Sequence, residues 1–169
     1  VAMYYNGGGD AAYAKKLAQP ARVVELAFWR DWLAELTTLK VCDPACGSGE
    51  FLVAAFDLLL LEYQNVNEQI AAITGSMEVF HADKEILNSN LFGVDVNAES
   101  VEITKLALWL QTARRDRALE SLDGNILHGN SLVDDARYHP RPLDWERAFP
   151  QLADEDGRFD IVLGNPPYV

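Results

Sequence analysis

The chain has 169 residues, of which 49% are hydrophobic, so it is long enough for one domain with a buried core. No apolar run has the length that a membrane-spanning helix needs. The formal net charge of −12 at pH 7 argues against a strong binder of nucleic-acid backbone, because such a binder presents a basic face. Cys42 and Cys46 lack the additional nearby ligands of a zinc site. We therefore expect two small buried thiols, no metal site and a reducing, cytoplasmic compartment.

The N-terminal part of the chain is predicted to be one long helix, because apolar side chains recur at helical spacing over Ala11–Leu36. Pro20 lies within this span, and the pattern leaves open whether the helix breaks there. The broad apolar stripe that includes Val24 and Phe28 predicts packing against the core.

The first motif follows a short strand, predicted at Thr38–Cys42, and reads Asp43-Pro44-Ala45-Cys46-Gly47-Ser48-Gly49 before an apolar helix, Leu52–Tyr63. Strand, glycine turn and helix in this order are typical of the first crossover of a nucleotide-binding sheet. The glycines allow close backbone approach, and the helix N-terminus offers free N–H groups. The spacing is not that of a dinucleotide fingerprint. Asp43 at the strand end would repel a pyrophosphate and attract an ammonium or sulfonium group.

A second strand, Leu91–Asp95, also ends on an acid, and an amphipathic helix, Glu99–Thr112, follows it. We favour ribose binding by Asp95 over a helix-capping role, because Asn97 or Ser100 can cap that helix. The basic cluster Arg114, Arg115 and Arg117 is interpreted as a solvated helix C-terminus rather than as a phosphate contact.

A third strand, Asn125–His128, leads into Gly129-Asn130-Ser131-Leu132. Asn130 can both donate and accept hydrogen bonds, which suits the edge of an adenine. His128 lies inside the strand, so we expect a satisfied core histidine rather than a catalytic one.

The last motif follows Phe159–Leu163, which has the length and composition of a buried strand, and reads Gly164-Asn165-Pro166-Pro167-Tyr168. Two successive prolines end a strand and leave a rigid turn rich in acceptors, because proline has no N–H. The Asn165 side-chain oxygen and the Pro166 carbonyl could each accept one N–H of an amino group. Tyr168 could stack on the ring that carries this amino group. On the tetrapeptide alone, an ordinary Asn-Pro turn is an equally good interpretation.

The alternation of strands and helices predicts an α/β fold, with a doubly wound, mostly parallel, Rossmann-like sheet that is cut after its fourth strand. We expect residues 1–37 to form an N-terminal helical segment and residues 38–169 to form a partial domain, so the chain reads as a fragment. Ligands of open α/β sheets bind at the carboxyl ends of the strands. Four polar residues close the predicted strands and are expected to line one crevice: Asp43, Asp95, Asn130 and Asn165.

Together these motifs resemble amino-group DNA methyltransferases, especially the adenine-N6 enzymes of restriction–modification systems in which nuclease and methyltransferase share one polypeptide. The glycine-turn motif with Phe51 looks like their S-adenosylmethionine motif, and Asn165-Pro166-Pro167-Tyr168 looks like their catalytic motif. The resemblance covers about residues 40–169. Tyr4-Tyr5-Asn6 is at best a degraded form of the family's Tyr-Thr-Pro-like element, and Asn130 stands where the family often has Asp.

The resemblance implies an S-adenosylmethionine-dependent methyltransferase fold that methylates the N6 amino group of adenine in double-stranded DNA, after the base has been flipped out. The implied catalytic residues are Asn165, Pro166, Pro167 and Tyr168. The implied cofactor-binding residues are Asp43, Pro44, Ala45, Gly47, Gly49, Phe51, Asp95, Val96, Asn130 and Ser131.

Methylation of a protein glutamine or an RNA base, and a non-catalytic cofactor-binding module, remain alternative functions at this stage. We expect most contacts to DNA to lie outside this chain, and residues 1–169 alone to be inactive.

Overall fold

The computed structural model describes residues 8–76, 81–112, 121–152 and 157–165, with side chains described from residue 20 onward. The helices and strands in chain order are α1 Gly8–Thr38, β1 Val41–Asp43, α2 Glu50–Thr74, α3 Ala82–Glu85, β2 Leu91–Asp95, α4 Ala98–Thr112, β3 Ile126–His128, α5 Trp145–Ala148 and β4 Ile161–Val162. A π-helical turn spans Ile86–Asn90, and a 3-10 turn spans Pro150–Leu152. Within these ranges, no helix is both long and apolar enough to cross a membrane.

The four described strands form one parallel sheet in the order β3-β2-β1-β4. The chain steps outward from β1 to β2 and β3, and then returns past β1 to form β4 on its other side. Right-handed crossovers therefore place α2 and α4 on one face of the sheet and the β3–β4 connection on the opposite face. The predicted α/β class with a parallel, doubly wound sheet is confirmed. The reversal between β1 and β4 is the topological switch point, where such sheets bind ligands.

Alternate residues of the strands enter two separate apolar clusters, one on each face of the sheet. Val41 and Leu91 pack into the larger cluster with the buried sides of α1, α2 and α4. Their neighbours Cys42 and Phe92 pack into the smaller cluster. There the ring of Phe92 lies edge-on to that of Phe149, with centroids 5.7 Å apart. The smaller cluster thus holds the β3–β4 connection against the sheet.

The first helix is longer than predicted and continues through Pro20 to Thr38, so β1 begins at Val41 rather than at Thr38. The predicted inward packing of its apolar stripe is only partly correct. Trp29 packs against the larger cluster, but Val24 is 70% exposed and Phe28 is 58% exposed. A helix that lies on one flank of a domain buries one side only, and these two residues lie off that side.

The prediction of a buried final strand is wrong. Only Ile161–Val162 is strand, and these side chains are 44% and 65% exposed. The reason is that β4 pairs with β1 on one side and is the edge strand of the described sheet. The division between residues 1–37 and 38–169 stays a prediction; α1 ends at Thr38 and packs against α2.

Candidate active site

The glycine turn between β1 and α2 is tied to the neighbouring strand by its own backbone. The N–H of Cys46 donates to the carbonyl oxygen of Val94 at 2.9 Å, and the N–H of Gly49 donates back to Cys46 at 2.8 Å. Gly47 has φ +52° and Gly49 has φ +84°, conformations that residues with a side chain adopt only with strain. The turn therefore needs both glycines to reach its shape at the start of α2.

Asp43 ends β1 beneath this turn and is 1% exposed. Its Oδ1 accepts from the N–H of Ala45 at 3.0 Å, whereas its buried Oδ2 has no hydrogen-bond partner among the described residues. Burial raises the pKa of this carboxyl above its ordinary value, and nearby Asp95 adds to the rise, while the bond from Ala45 opposes it. A buried acceptor without a partner fits the cationic ligand that the sequence favoured.

The exit from β4 lies directly beside Asp43. The N–H of Leu163 donates to the carbonyl oxygen of Cys42 at 2.9 Å, which sets the last strand against β1. A Cβ added to Gly164, whose φ is +153°, would lie 2.7 Å from Asp43 Oδ1. The two motifs therefore meet at the switch point. Asn165 is exposed at this edge, whereas Pro166, Pro167 and Tyr168 lie outside the described residues.

Asp95 joins the glycine turn to the start of α4. Its Oδ2 accepts from the N–H of Gly47 and its Oδ1 accepts from the N–H of Asn97, both at 2.8 Å. The helix itself is capped by Asn97, whose side-chain oxygen accepts from the N–H of Ser100 at 2.9 Å. Asp95 is thus not the helix cap, and each of its oxygens keeps acceptor capacity beyond these bonds.

The turn that follows β3 is built around Asn130. Its Oδ1 accepts from the N–H of Leu132 at 3.0 Å, and its own N–H donates to the carbonyl oxygen of Arg141 at 2.9 Å. The carbonyl oxygen of Ser131 accepts from the indole N–H of Trp145 at 3.2 Å. These bonds hold the Asn130 turn in place, and its side-chain oxygen is already engaged.

The remaining predicted cofactor-binding residues are partly buried or exposed. Phe51 on the first turn of α2 is 47% exposed, and Val96 just after β2 is 56% exposed. Pro44 and Ala45 in the turn are partly buried. A ring nitrogen of His128 lies 3.1 Å from the carbonyl oxygen of Val96, so this histidine has a partner. It is only half-buried, because β3 is an edge strand of the described sheet, so the predicted core position is wrong.

Both cysteines are buried, as predicted, and burial raises the pKa of Cys42 and of Cys46 to about 12. Both therefore remain thiols at neutral pH and are not activated nucleophiles. The basic cluster around Arg115 lies outside the described residues.

The sequence reasoning missed two residues of this site, Thr104 and Gly164. Thr104 lies in α4, is 0% exposed, and donates from Oγ1 to the carbonyl oxygen of Gly47 at 2.9 Å. Its signal was a polar residue three positions after Val101, on the side of the helix that faces the core. Gly164 could be recognised only once β4 was placed beside β1.

A parallel α/β sheet with an acid beneath a glycine turn at its switch point defines a Rossmann-like ligand-binding fold. Residues 89–169 match the family model described as Eco57I restriction-modification methylase. The resemblance to restriction–modification methyltransferases that the motifs indicated is thereby confirmed for this part of the chain.

Curated relatives agree with the match. The type II restriction enzyme and methyltransferase RM.Eco57I of Escherichia coli is 30% identical over 159 residues, covering 80% of this chain and 15% of the relative. DNA methyltransferase A of Bacillus subtilis is 24% identical over 141 residues, covering 81% of this chain and 15% of the relative. The adenine-specific methyltransferase PglX of Lacticaseibacillus casei is 33% identical over 75 residues, covering 44% of this chain and 6% of the relative. The chain thus spans a small part of the length of each of these relatives.

Proposed function

We propose that this chain is part of an enzyme that transfers a methyl group from S-adenosylmethionine to the N6 amino group of adenine in DNA, within a restriction–modification system. The observation that carries the proposal is the close approach of Gly164, the residue before Asn165, to Asp43: an added Cβ would lie 2.7 Å from Asp43 Oδ1. A methyl donor and an acceptor amine held by these two motifs would be neighbours, and such positioning is itself a large part of catalysis.

The donor half of the site suits S-adenosylmethionine because of its charge. The buried Oδ2 of Asp43, which has no partner in the described part of the chain, would favour a cation or a donor, and this cofactor carries both an ammonium and a sulfonium group. Asp43 with the turn from Pro44 to Gly49 would hold the methionine part, and Asp95 would hold the ribose. Phe51, Val96, Asn130 and Ser131 would surround the adenine.

The acceptor half suits an exocyclic amine, whose lone pair is delocalised into its ring and is a poor nucleophile. The Asn165 side-chain oxygen and the Pro166 carbonyl would accept its two hydrogens and free that lone pair, while Tyr168 stacks on the flipped base. Bound S-adenosylmethionine supplies an electrophilic methyl group. The amine needs no general base before it attacks, since it loses its proton readily once methylated.

The DNA duplex is proposed to be gripped largely by other parts of a longer protein, because this chain carries a net charge of −12. A cytoplasmic location fits the same proposal, because the DNA substrate would be met there and its reducing conditions keep cysteines as free thiols.

The test is methyl transfer from labelled S-adenosylmethionine by the full-length protein, offered DNA, RNA and a release-factor-like protein as acceptors. Asn165→Ala should abolish methylation of DNA adenine and leave cofactor affinity within a few-fold. Asn88→Ala is the matched control, since Asn88 is exposed and precedes the amino end of β2, whereas Asn165 follows the carboxyl end of β4. Labelled protein or RNA with unlabelled DNA would reject the substrate assignment, and full activity of Asn165→Ala would reject the catalytic one.

A further inference from the structure

The peptide of Gly47 is held from both sides by side chains of other elements. Its N–H donates to Asp95 Oδ2 at 2.8 Å, and its carbonyl oxygen accepts from Thr104 Oγ1 at 2.9 Å. Asp95 is at the end of β2, whereas Thr104 lies in the middle of α4. A turn with two glycines is intrinsically permissive, so these two side-chain bonds, together with the backbone bond from Cys46 to Val94, restrict the conformations that it can adopt.

The bond that Thr104 makes is not the ordinary one for its position. A threonine inside a helix commonly returns its hydroxyl to a carbonyl of the preceding turn, whereas this hydroxyl reaches the glycine turn instead. The same side chain fills the space beneath Gly49, where an added Cβ would lie 2.8 Å from Thr104 Cγ2. One buried residue therefore supports both glycines, the hydroxyl at Gly47 and the methyl group at Gly49.

We infer that Thr104 is a positioning residue that pre-organises the glycine turn for S-adenosylmethionine. The inference rests on the proposed function and adds a residue that does not touch the cofactor. A turn that already has its bound shape loses less conformational entropy on binding, so the effect of Thr104 belongs in the affinity for the cofactor. Without the hydroxyl, the carbonyl of Gly47 loses its partner, and the turn gains alternative conformations.

The experiment compares three variants of the full-length protein by calorimetry with S-adenosylmethionine, by thermal unfolding and by steady-state kinetics. Thr104→Val keeps the shape and removes the donor, and Thr104→Ser keeps the donor. Ile70→Val is the matched control, because Ile70 is buried in α2 about 30 Å along the helix from the turn. We expect Thr104→Val to weaken cofactor binding about 5- to 10-fold and to raise the KM for the cofactor, with kcat little changed.

Ile70→Val should bind the cofactor within about twofold of the wild type. Thr104→Ser keeps the donor but loses the methyl group beneath Gly49, so its affinity should fall between those of Ile70→Val and Thr104→Val. Unchanged affinity in Thr104→Val overturns the inference, and so does an equal loss in Ile70→Val, which would mean a general effect of stability. Should Thr104→Val not fold, Thr104→Cys carries the same test, since a thiol is only a weak donor. Failure of the wild type to bind S-adenosylmethionine would instead overturn the proposed function.

Discussion

Asp43 is a side chain whose surroundings favour its uncharged form, and this has a cost for stability. Its carboxyl is buried, one oxygen has no partner among the described residues, and its pKa is raised by burial and by Asp95. Ligand sites commonly retain such unfavourable groups because the ligand supplies the missing interaction. Stability and binding are therefore expected to oppose each other at this position.

Asp43→Asn should abolish S-adenosylmethionine binding while raising stability at neutral pH. The protonated carboxyl is favoured in the folded state, so the contribution of Asp43 to stability is present below the ordinary pKa of 3.8 and is lost as pH rises through the raised folded value. The stability advantage of Asp43→Asn over the wild type should thus grow with pH through this window and then level off. Thermal unfolding between about pH 4 and pH 8 measures it.

The control for this substitution is Asp57→Asn, which removes the same charge from an exposed position of α2. It should leave cofactor affinity unchanged. A stability difference between Asp43→Asn and the wild type that stays constant with pH would contradict the assignment of a raised pKa.

Gly164→Ala tests the contact between the two motifs. The new methyl group would meet Asp43 Oδ1 at 2.7 Å, so either the carboxylate or the Asn165 turn must move. We expect kcat/KM to fall at least about tenfold, since small displacements of reacting groups have large effects on rate. Gly124→Ala is the control, because a Cβ added to Gly124 would have no heavy atom within 4 Å. Gly124 precedes β3, the strand of the described sheet that is farthest from β4. Equal kinetics for the two variants would mean that the contact is not needed.

At the scale of elements, the π-helical turn before β2 fixes the end of α1. Asn90 is 0% exposed, and its amide donates to the carbonyl oxygens of Leu36 and Leu39, both at 2.8 Å. Its oxygen accepts from the hydroxyl of Tyr63 in α2 at 3.1 Å. One carboxamide thus joins α1, α2 and the segment before β2, and it donates to two carbonyls at the end of α1, of which that of Leu36 also lies 3.0 Å from the Tyr63 hydroxyl.

Asn90→Leu should destabilise the folded chain by about 1–3 kcal/mol, because the carbonyl of Leu39 loses its amide donor. The hydroxyl of Tyr63 and the carbonyl oxygen of Leu36 lie 3.0 Å apart and still pair with each other. Cofactor affinity of the folded fraction should stay within about twofold, since the network lies away from the glycine turn. Asn88→Leu, at an exposed position of the same turn, should cost less than about 0.5 kcal/mol. Urea unfolding midpoints at unchanged slope measure both, and equal losses in the two variants would contradict the role given to Asn90.

The sequence predicted those elements whose pattern is local. The bounds of Leu91–Asp95 were correct because an apolar run there is closed by an acid and followed by a helix cap. The burial of β4 was misjudged, since composition does not distinguish a central strand from an edge strand. Thr104 escaped prediction for a similar reason: its helical spacing marks it only as a polar residue that faces the core, and its bonding partner Gly47 is 57 residues away in sequence.

At the scale of the whole molecule, strand order brings the site together. The motifs after β1 and β4 are separated by more than a hundred residues, and they meet because β4 is laid beside β1 after the chain reverses. The motif sequences predicted that both turns lie at the carboxyl edge. Their contact depended on the strand order, which the alternation of elements restricts but does not determine.

The charge of the molecule leads to a prediction for residues 1–169 alone. With a net charge of −12, this chain should repel DNA phosphates, so fluorescence anisotropy with a labelled duplex should show no binding at ~0.15 M salt. Circular dichroism of the same sample shows whether the chain is folded. The full-length protein should bind the same duplex with an affinity that falls steeply as salt increases, because its cationic residues displace counterions. Tight, salt-dependent binding by residues 1–169 would mean that this acidic chain itself contains the phosphate contacts.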